Sequence, residues 1–239
     1  LKEEDKVKDE DWWHYEPPRN AYDLVGNNVI TNLLRPYIYI AIRFYYRYHH
    51  KLRVLGYKSE YSRASYIVVS NHSSHLDTPL IFSCFPFGRV NRIRAVAALD
   101  YFFSNSLTRV FTHLLANIIP INRKSADFSA ISMCGRVLSG GGNIIIYPEG
   151  TRTRTGQMGE FKPGVSLLVK KTKAAVLPVF IKGTFECFNF KKKFPSDGFV
   201  EIAFGSPIRL TEQVLKKMSY SEIAERLQTA VIDASRKLK

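Results

Sequence analysis

The stretch YIVVSNHSSHLDTP, residues 66–79, decides the fold. A short apolar run rich in β-branched residues (66–70) ends abruptly in a polar segment, Asn71-His72-Ser73-Ser74-His75. Short runs that are apolar on both faces read as buried strands. Asp77-Thr78-Pro79 then opens a helix, because Asp is a favoured cap and Pro suits the first helical turn. A buried strand, a polar loop and a helix in immediate succession begin a βαβ unit.

Reading outward, the alternation repeats. Residues 93–98, 117–121, 143–147, 175–181 and 200–204 read as further strands. Helices are expected over 101–115, over 126–138 (stopped by Gly140-Gly141-Gly142), over 162–173 with Pro163 in the first turn, and over 221–238 capped by Ser219 or Ser221. Pro178 within 175–181 implies an edge strand or a bulge. The pattern predicts an α/β fold, a mostly parallel mixed sheet covered by helices.

The amino-terminal region differs. Residues 2–11 hold three lysines against six acids, which fits an exposed tail over 1–23 and not a secretory signal. Residues 24–50 form a helical segment rich in aromatic and aliphatic side chains, with Arg35, Arg43 and Arg47 among them. It reads either as a helix lying in a membrane interface or as one packed on the core, with Pro36 kinking it or starting a second piece. Residues 51–239 make the folded domain.

Composition narrows the function. Lys and Arg number 35 against 21 Asp and Glu, a net charge of +14, so a polyanionic partner is expected. Nucleic acid, an anionic membrane surface and phosphorylated substrates all qualify. No helix-turn-helix, zinc-finger or RNA-binding signature supports nucleic acid, which stays only as the out-of-class alternative. Three scattered cysteines supply neither a disulfide framework nor a zinc site, and point to a reducing compartment. No apolar run reaches the roughly 18–20 residues that span a bilayer.

Parallel sheets place ligands outside the carboxyl ends of their strands. Three polar clusters fall there: 71–77, Pro148-Glu149-Gly150-Thr151-Arg152, and Asn122-Arg123-Lys124. His72 and Asp77 would stand about 140° apart on one continuous helix, so they meet only if a loop turns into a helix between them. A neutral imidazole whose second nitrogen is held by a carboxylate is a general base. Asp77 as a plain helix cap, His75 as a competing base, and Ser73 or Ser74 as a nucleophile remain open readings. No Gly-x-Ser-x-Gly surrounds either serine. In the second cluster, Arg152 suits bidentate phosphate recognition, and Gly150 allows close backbone approach.

NHSSHLD at 71–77, IIPINRKS at 118–125, YPEGTRTRTG at 147–156 and VLPVFIKG at 176–183, in that order, resemble the four motifs of the glycerolipid acyltransferase superfamily. The resemblance covers roughly residues 60–210 and is greatest to the 1-acylglycerol-3-phosphate (lysophosphatidate) acyltransferase branch. It implies that His72 is the general base and that Asp77 orients it. Glu149, Gly150, Thr151 and Arg152 would bind the glycerol phosphate of the acceptor, with Arg123 helping. The donor would be acyl-CoA or acyl-carrier protein, the acceptor a lysophospholipid, and the acyl group would pass directly, without an acyl-enzyme, a metal or a cofactor. The resemblance also implies association with an anionic membrane surface, at its cytoplasmic face. Another lysolipid or glycerol 3-phosphate as acceptor, or a transacylase, stays within the same superfamily. Where many relatives carry Gly and Asp around the second motif, this chain has Ala116 and Asn122.

Overall fold

The computed structural model describes residues 29–98, 118–121 and 128–238. One sheet holds β1 (Arg53–Leu55), β2 (Tyr66–Ser70), β3 (Ile93–Ala98), β4 (Ile118–Ile121), β5 (Asn143–Ile146), β6 (Ala175–Lys182) and β7 (Glu201–Phe204). Their spatial order is β1-β7-β6-β2-β5-β3-β4. Every pairing is parallel except β6 with β7. The helices are α1 (Val29–His49), α2 (Asp77–Cys84), α3 (Phe128–Ser139), α4 (Gly164–Thr172), α5 (Thr184–Cys187), α6 (Glu212–Lys217) and α7 (Tyr220–Ser235).

All five residues of β2 are buried, and they alternate between two cores. Tyr66 and Val68 pack with Tyr39, Leu80 and Phe82, whereas Ile67 and Val69 pack with Ile131, Val165 and Leu227. α1 and α2 therefore cover one face, and α3, α4 and α7 the other. Burying one such aliphatic side chain stabilises a fold by about 1.5–3 kcal/mol, so a strand apolar on both faces belongs at the centre. α7 starts with a capping box in which the Ser219 hydroxyl accepts from Glu222 N while Glu222 accepts from Ser219 N.

Pro178 does not mark an edge, because β6 lies between β2 and β7. Its carbonyl accepts from Gly205 N at 2.8 Å, so its missing N–H faces the same side. There β7 has already ended at Phe204, and the next pairing is the bridge between Val176 and Ile208. The absent donor thus coincides with a break in the partner strand. β1, α5 and α6 are too short to have given a periodic signal. The helix expected over 101–115, the tail 1–23 and the loop carrying Arg123 lie outside the described residues.

α1 runs through Pro36 without stopping. Proline cannot donate to the carbonyl of Asn32 one turn earlier. Asn91 supplies that bond instead, its side-chain amide donating to Asn32 O at 2.9 Å. The helix presents two faces. Arg35, Tyr39 and Tyr46 are buried against the domain, with the Tyr39 ring stacked on Phe82 at 5.0 Å. Leu33, Tyr37, Ile40, Phe44 and Tyr48 form an exposed stripe at helical spacing. Among the described residues no helix is long and apolar enough to cross a membrane.

Candidate active site

β6, β2 and β5 are neighbours, and the loops leaving their carboxyl ends converge. His72 sits in the loop after β2, and Asp77 is the first residue of α2. That loop-to-helix turn brings the pair together: His72 Nδ1 lies 2.9 Å from Asp77 Oδ2. Asp77 does not cap its own helix. Its carboxylate turns back along the chain, and Oδ2 also accepts from Ser73 N at 2.7 Å and Ser74 N at 2.8 Å. Oδ1 accepts from the Thr184 hydroxyl at 2.6 Å.

Asp77 is completely buried, and four donors occupy its two oxygens. A carboxylate offers acceptor sites for about four hydrogen bonds, so the proton between the pair is assigned to Nδ1 of His72. Nε2 is then the bare nitrogen, the form needed for a base. The ring is further fixed by Tyr147, which stacks on it with centroids 3.9 Å apart and planes 14° apart. The Tyr147 hydroxyl lies 2.9 Å from Thr78 Oγ1, and burial pushes its phenol well above the usual range.

The serines are structural. Ser74 Oγ donates to Phe188 O at 2.5 Å and accepts from Leu76 N at 3.1 Å. Ser73 Oγ lies 3.5 Å from Thr184 Oγ1. Neither hydroxyl hydrogen-bonds the His72 ring. Asn71 completes the loop's anchorage by exchanging two bonds of 2.8 Å with the backbone of Ile181. On the other side, Tyr46 of α1 donates to Leu76 O at 2.6 Å.

The loop after β5 joins the same cluster. Glu149 is buried, with Oε1 accepting from His72 N at 2.7 Å and Oε2 from Gly159 N at 2.8 Å. Burial raises the pKa of its carboxyl, opposed by these two N–H donors. Thr153 N donates to His72 O at 2.9 Å, so the two loops are clasped through backbone as well. Gly150 has φ of +72°, and a Cβ there would stand 3.2 Å from Lys162 Nζ. A side chain at that position would be strained and would crowd the ammonium group. Thr151 is exposed and Arg152 half-buried.

Arg152 hydrogen-bonds His75 Nε2 through its guanidinium. Desolvation of the imidazole, and then the adjacent guanidinium, lower the His75 pKa to about 4. His75 is therefore neutral at ordinary pH and acts as an acceptor that holds Arg152.

The structure thus unites His72, Asp77, Glu149, Gly150 and Arg152 beyond the carboxyl ends of β2 and β5, while Arg123 lies outside the described residues. Sequence reading missed Thr184, gave Tyr147 no role and treated His75 only as a rival base. Thr184 carried one usable signal: it follows the Gly183 that ends the strand next to β2.

A half-buried histidine anchored to a fully buried carboxylate, beside an Arg-bearing loop on this sheet, belongs to a known class. Residues 51–182 match the Acyltransferase family, and the chain belongs to it. Within that family it is similar to the chloroplastic 1-acyl-sn-glycerol-3-phosphate acyltransferase LPAT1 of Arabidopsis thaliana, at 26% identity over 67% of this chain and 44% of that protein. The 1-acyl-sn-glycerol-3-phosphate acyltransferase of Cocos nucifera is 27% identical over 88% of this chain and 71% of that one. The crystal structure of the 1-acyl-sn-glycerophosphate acyltransferase PlsC from Thermotoga maritima shares the fold, with a TM-score of 0.62, 21% identity and coverage of 91% and 87%. The chain spans less than half the length of the Arabidopsis relative.

Proposed function

We propose that the protein is an O-acyltransferase that moves a fatty acyl group from acyl-CoA or acyl-carrier protein to the free hydroxyl of 1-acyl-glycerol 3-phosphate, giving phosphatidate. The observation that carries this reading is the His72–Asp77 pair, 2.9 Å apart between Nδ1 and Oδ2; with the proton assigned to Nδ1, Nε2 is left bare. The acceptor hydroxyl oxygen attacks the thioester carbonyl carbon while Nε2 takes the hydroxyl proton. Asp77 stabilises the imidazolium that forms. The carbon–sulfur bond then breaks, and the departing thiolate takes the proton back from Nε2. General-base help of this kind is worth about 10²–10⁴ in rate.

The acceptor phosphate is assigned to Arg152, Gly150 and Thr151, with Lys162 and Arg123 adding charge. Gly150 lets a phosphate approach the backbone, and Arg152 offers two parallel donors. Glu149 enters as the clasp that fixes this loop against His72, since both its oxygens are already engaged. A lipid acceptor calls for a membrane surface. The exposed stripe of α1, flanked by Arg43 and Arg47, suits an anionic interface at the cytoplasmic face.

Thiol release from a long-chain acyl-CoA, with and without lysophosphatidate, tests the reading. Release that requires the acceptor supports it. Release without acceptor would make the protein a thioesterase. No release with either donor, across lysophosphatidate, other lysolipids and glycerol 3-phosphate, would refute the acyltransferase assignment.

A further inference from the structure

The loop over 188–199 exposes three phenylalanines that no packing requirement explains. Phe190 is 59% exposed, Phe194 72% and Phe199 52%. Lys191, Lys192 and Lys193 stand between the first two, and 188–196 contains no acid. The lysines are not equivalent. Lys192 turns back into the loop, where Nζ donates to Glu186 O and to Ser196 Oγ at 2.6 Å. Lys191 and Lys193 project outward, each with Nζ 5.8 Å from the ring of its neighbour, Phe190 or Phe194. Asn189 sets the turn, accepting from Lys191 N at 3.0 Å and donating to Phe185 O at 2.9 Å. The tip is therefore a preformed alternation of aromatic and cationic groups.

Its position matters as much as its composition. At its foot, Thr184 holds Asp77 and Phe188 accepts from Ser74. Its far end joins the last turn of α1: Val200 N donates to His50 O at 2.9 Å, and Asp197 lies 3.3 Å from His49 Nδ1. The exposed stripe of α1 ends close by, at Phe44 and Tyr48.

We propose that Phe190, Lys191, Lys193 and Phe194 form a bilayer-insertion loop. The rings enter the headgroup–acyl boundary of an anionic membrane, and the two ammonium groups sit among lipid phosphates. Aromatic rings favour that boundary, and basic residues beside an anionic surface are attracted to it. Together with the α1 stripe, the loop seats the protein so that the membrane meets the loops around His72. An acidic donor protein would account for the lysines but not for three exposed phenylalanines. The proposal builds on the lipid-acceptor reading, yet its test measures membrane binding separately from turnover.

Sedimentation with vesicles of phosphatidylcholine, with and without added phosphatidylglycerol, compares wild type with Phe190→Ser/Phe194→Ser and Lys191→Gln/Lys193→Gln. The lysine pair should weaken binding to the anionic vesicles roughly tenfold or more, with little effect on phosphatidylcholine alone. The phenylalanine pair should weaken both by a similar factor. Both variants should keep wild-type melting temperatures and wild-type turnover on a short-chain, monomeric acceptor. A spin label at Phe194→Cys should become shielded from aqueous relaxation agents on anionic vesicles; Cys84, Cys134 and Cys187 are buried, so the label is selective. Unchanged vesicle binding in both variants, a label that stays water-exposed, or no vesicle binding by wild type would overturn the proposal. Unchanged vesicle binding with lost turnover on acyl-carrier protein would reassign the loop to the donor. Turnover on the soluble acceptor reports on the acyltransferase reading independently.

Discussion

Thr184 donates its hydroxyl to Asp77 Oδ1 at 2.6 Å across 107 residues of sequence. The bond ties the segment after β6 to the loop after β2, where His72 takes its orientation. Without it, the outer oxygen of a completely buried carboxylate would have no donor. Orphaning a buried charged acceptor costs about 1–3 kcal/mol or more.

Thr184→Val keeps the shape of the side chain and removes the donor. We expect turnover to fall roughly tenfold while the acceptor KM changes little, on the premise that 1–3 kcal/mol of orientation is lost. Thr184→Ser should restore most of the rate. Steady-state kinetics with acyl-CoA and lysophosphatidate checks both, and equal loss in Val and Ser variants would count against the bond.

Tyr147 separates two contributions. Tyr147→Phe retains the stack on His72 and loses only the contact with Thr78, so activity should stay within about twofold while stability drops by about 1 kcal/mol. Tyr147→Leu removes the stack and should lower turnover several-fold more than Phe does. Comparing the two rates with the two urea midpoints reads the split.

Arg152 is held by His75, so the two residues should act on the acceptor rather than on the chemistry. Arg152→Lys loses the planar fork and should raise the KM for lysophosphatidate about tenfold or more, with a smaller change in turnover. His75→Leu should move the same KM in the same direction, and His75→Gln, which keeps an acceptor, should recover part of it.

His75 also makes a signed contribution to stability against pH. Its folded pKa, about 4, lies below the ordinary 6.5. The neutral form is favoured in the fold, so its stabilisation is full above pH 6.5 and is lost as pH falls toward 4. Wild type should therefore lose more stability than His75→Gln between pH 7 and pH 5, measured as the shift in urea midpoint. Equal shifts in both proteins would contradict the assignment.

Asn91 repairs the helix at Pro36, and its loss should be felt in stability alone. Asn91→Leu removes the bond to the Asn32 carbonyl and the one that Asn91 Oδ1 accepts from the buried Arg35 at 3.3 Å, an expected cost of about 1–3 kcal/mol. A thermal or urea midpoint checks it.

Much of this was legible in the residues. β2 announced itself because it is apolar on both faces, and the polar clusters after β2 and β5 fell at strand ends that lie side by side. Asp77 could be read as a cap or as a partner of His72, and only the backward turn of its carboxylate decides. Pro178 left an edge and a bulge open; only the edge is excluded, since the steps from Val179 to Val176 are three and those from their partners Phe204 to Ile208 are four, one extra residue opposite the missing donor. The Thr184–Asp77 and Asn91–Asn32 bonds were illegible for a different reason: each joins residues far apart in sequence through one side chain, which leaves no periodic trace. The two faces of α1 were likewise merged, since an inward and an outward apolar stripe look alike until one of them is covered.

The central claim is that His72 Nε2 removes the acceptor proton. The most direct test is the rate of acyl transfer by His72→Ala, with its melting temperature and acceptor binding measured beside wild type. We expect a folded protein that binds lysophosphatidate and transfers acyl groups at least about 10²–10⁴ times more slowly. A folded His72→Ala protein that turns over within a few-fold of wild type would contradict the mechanism.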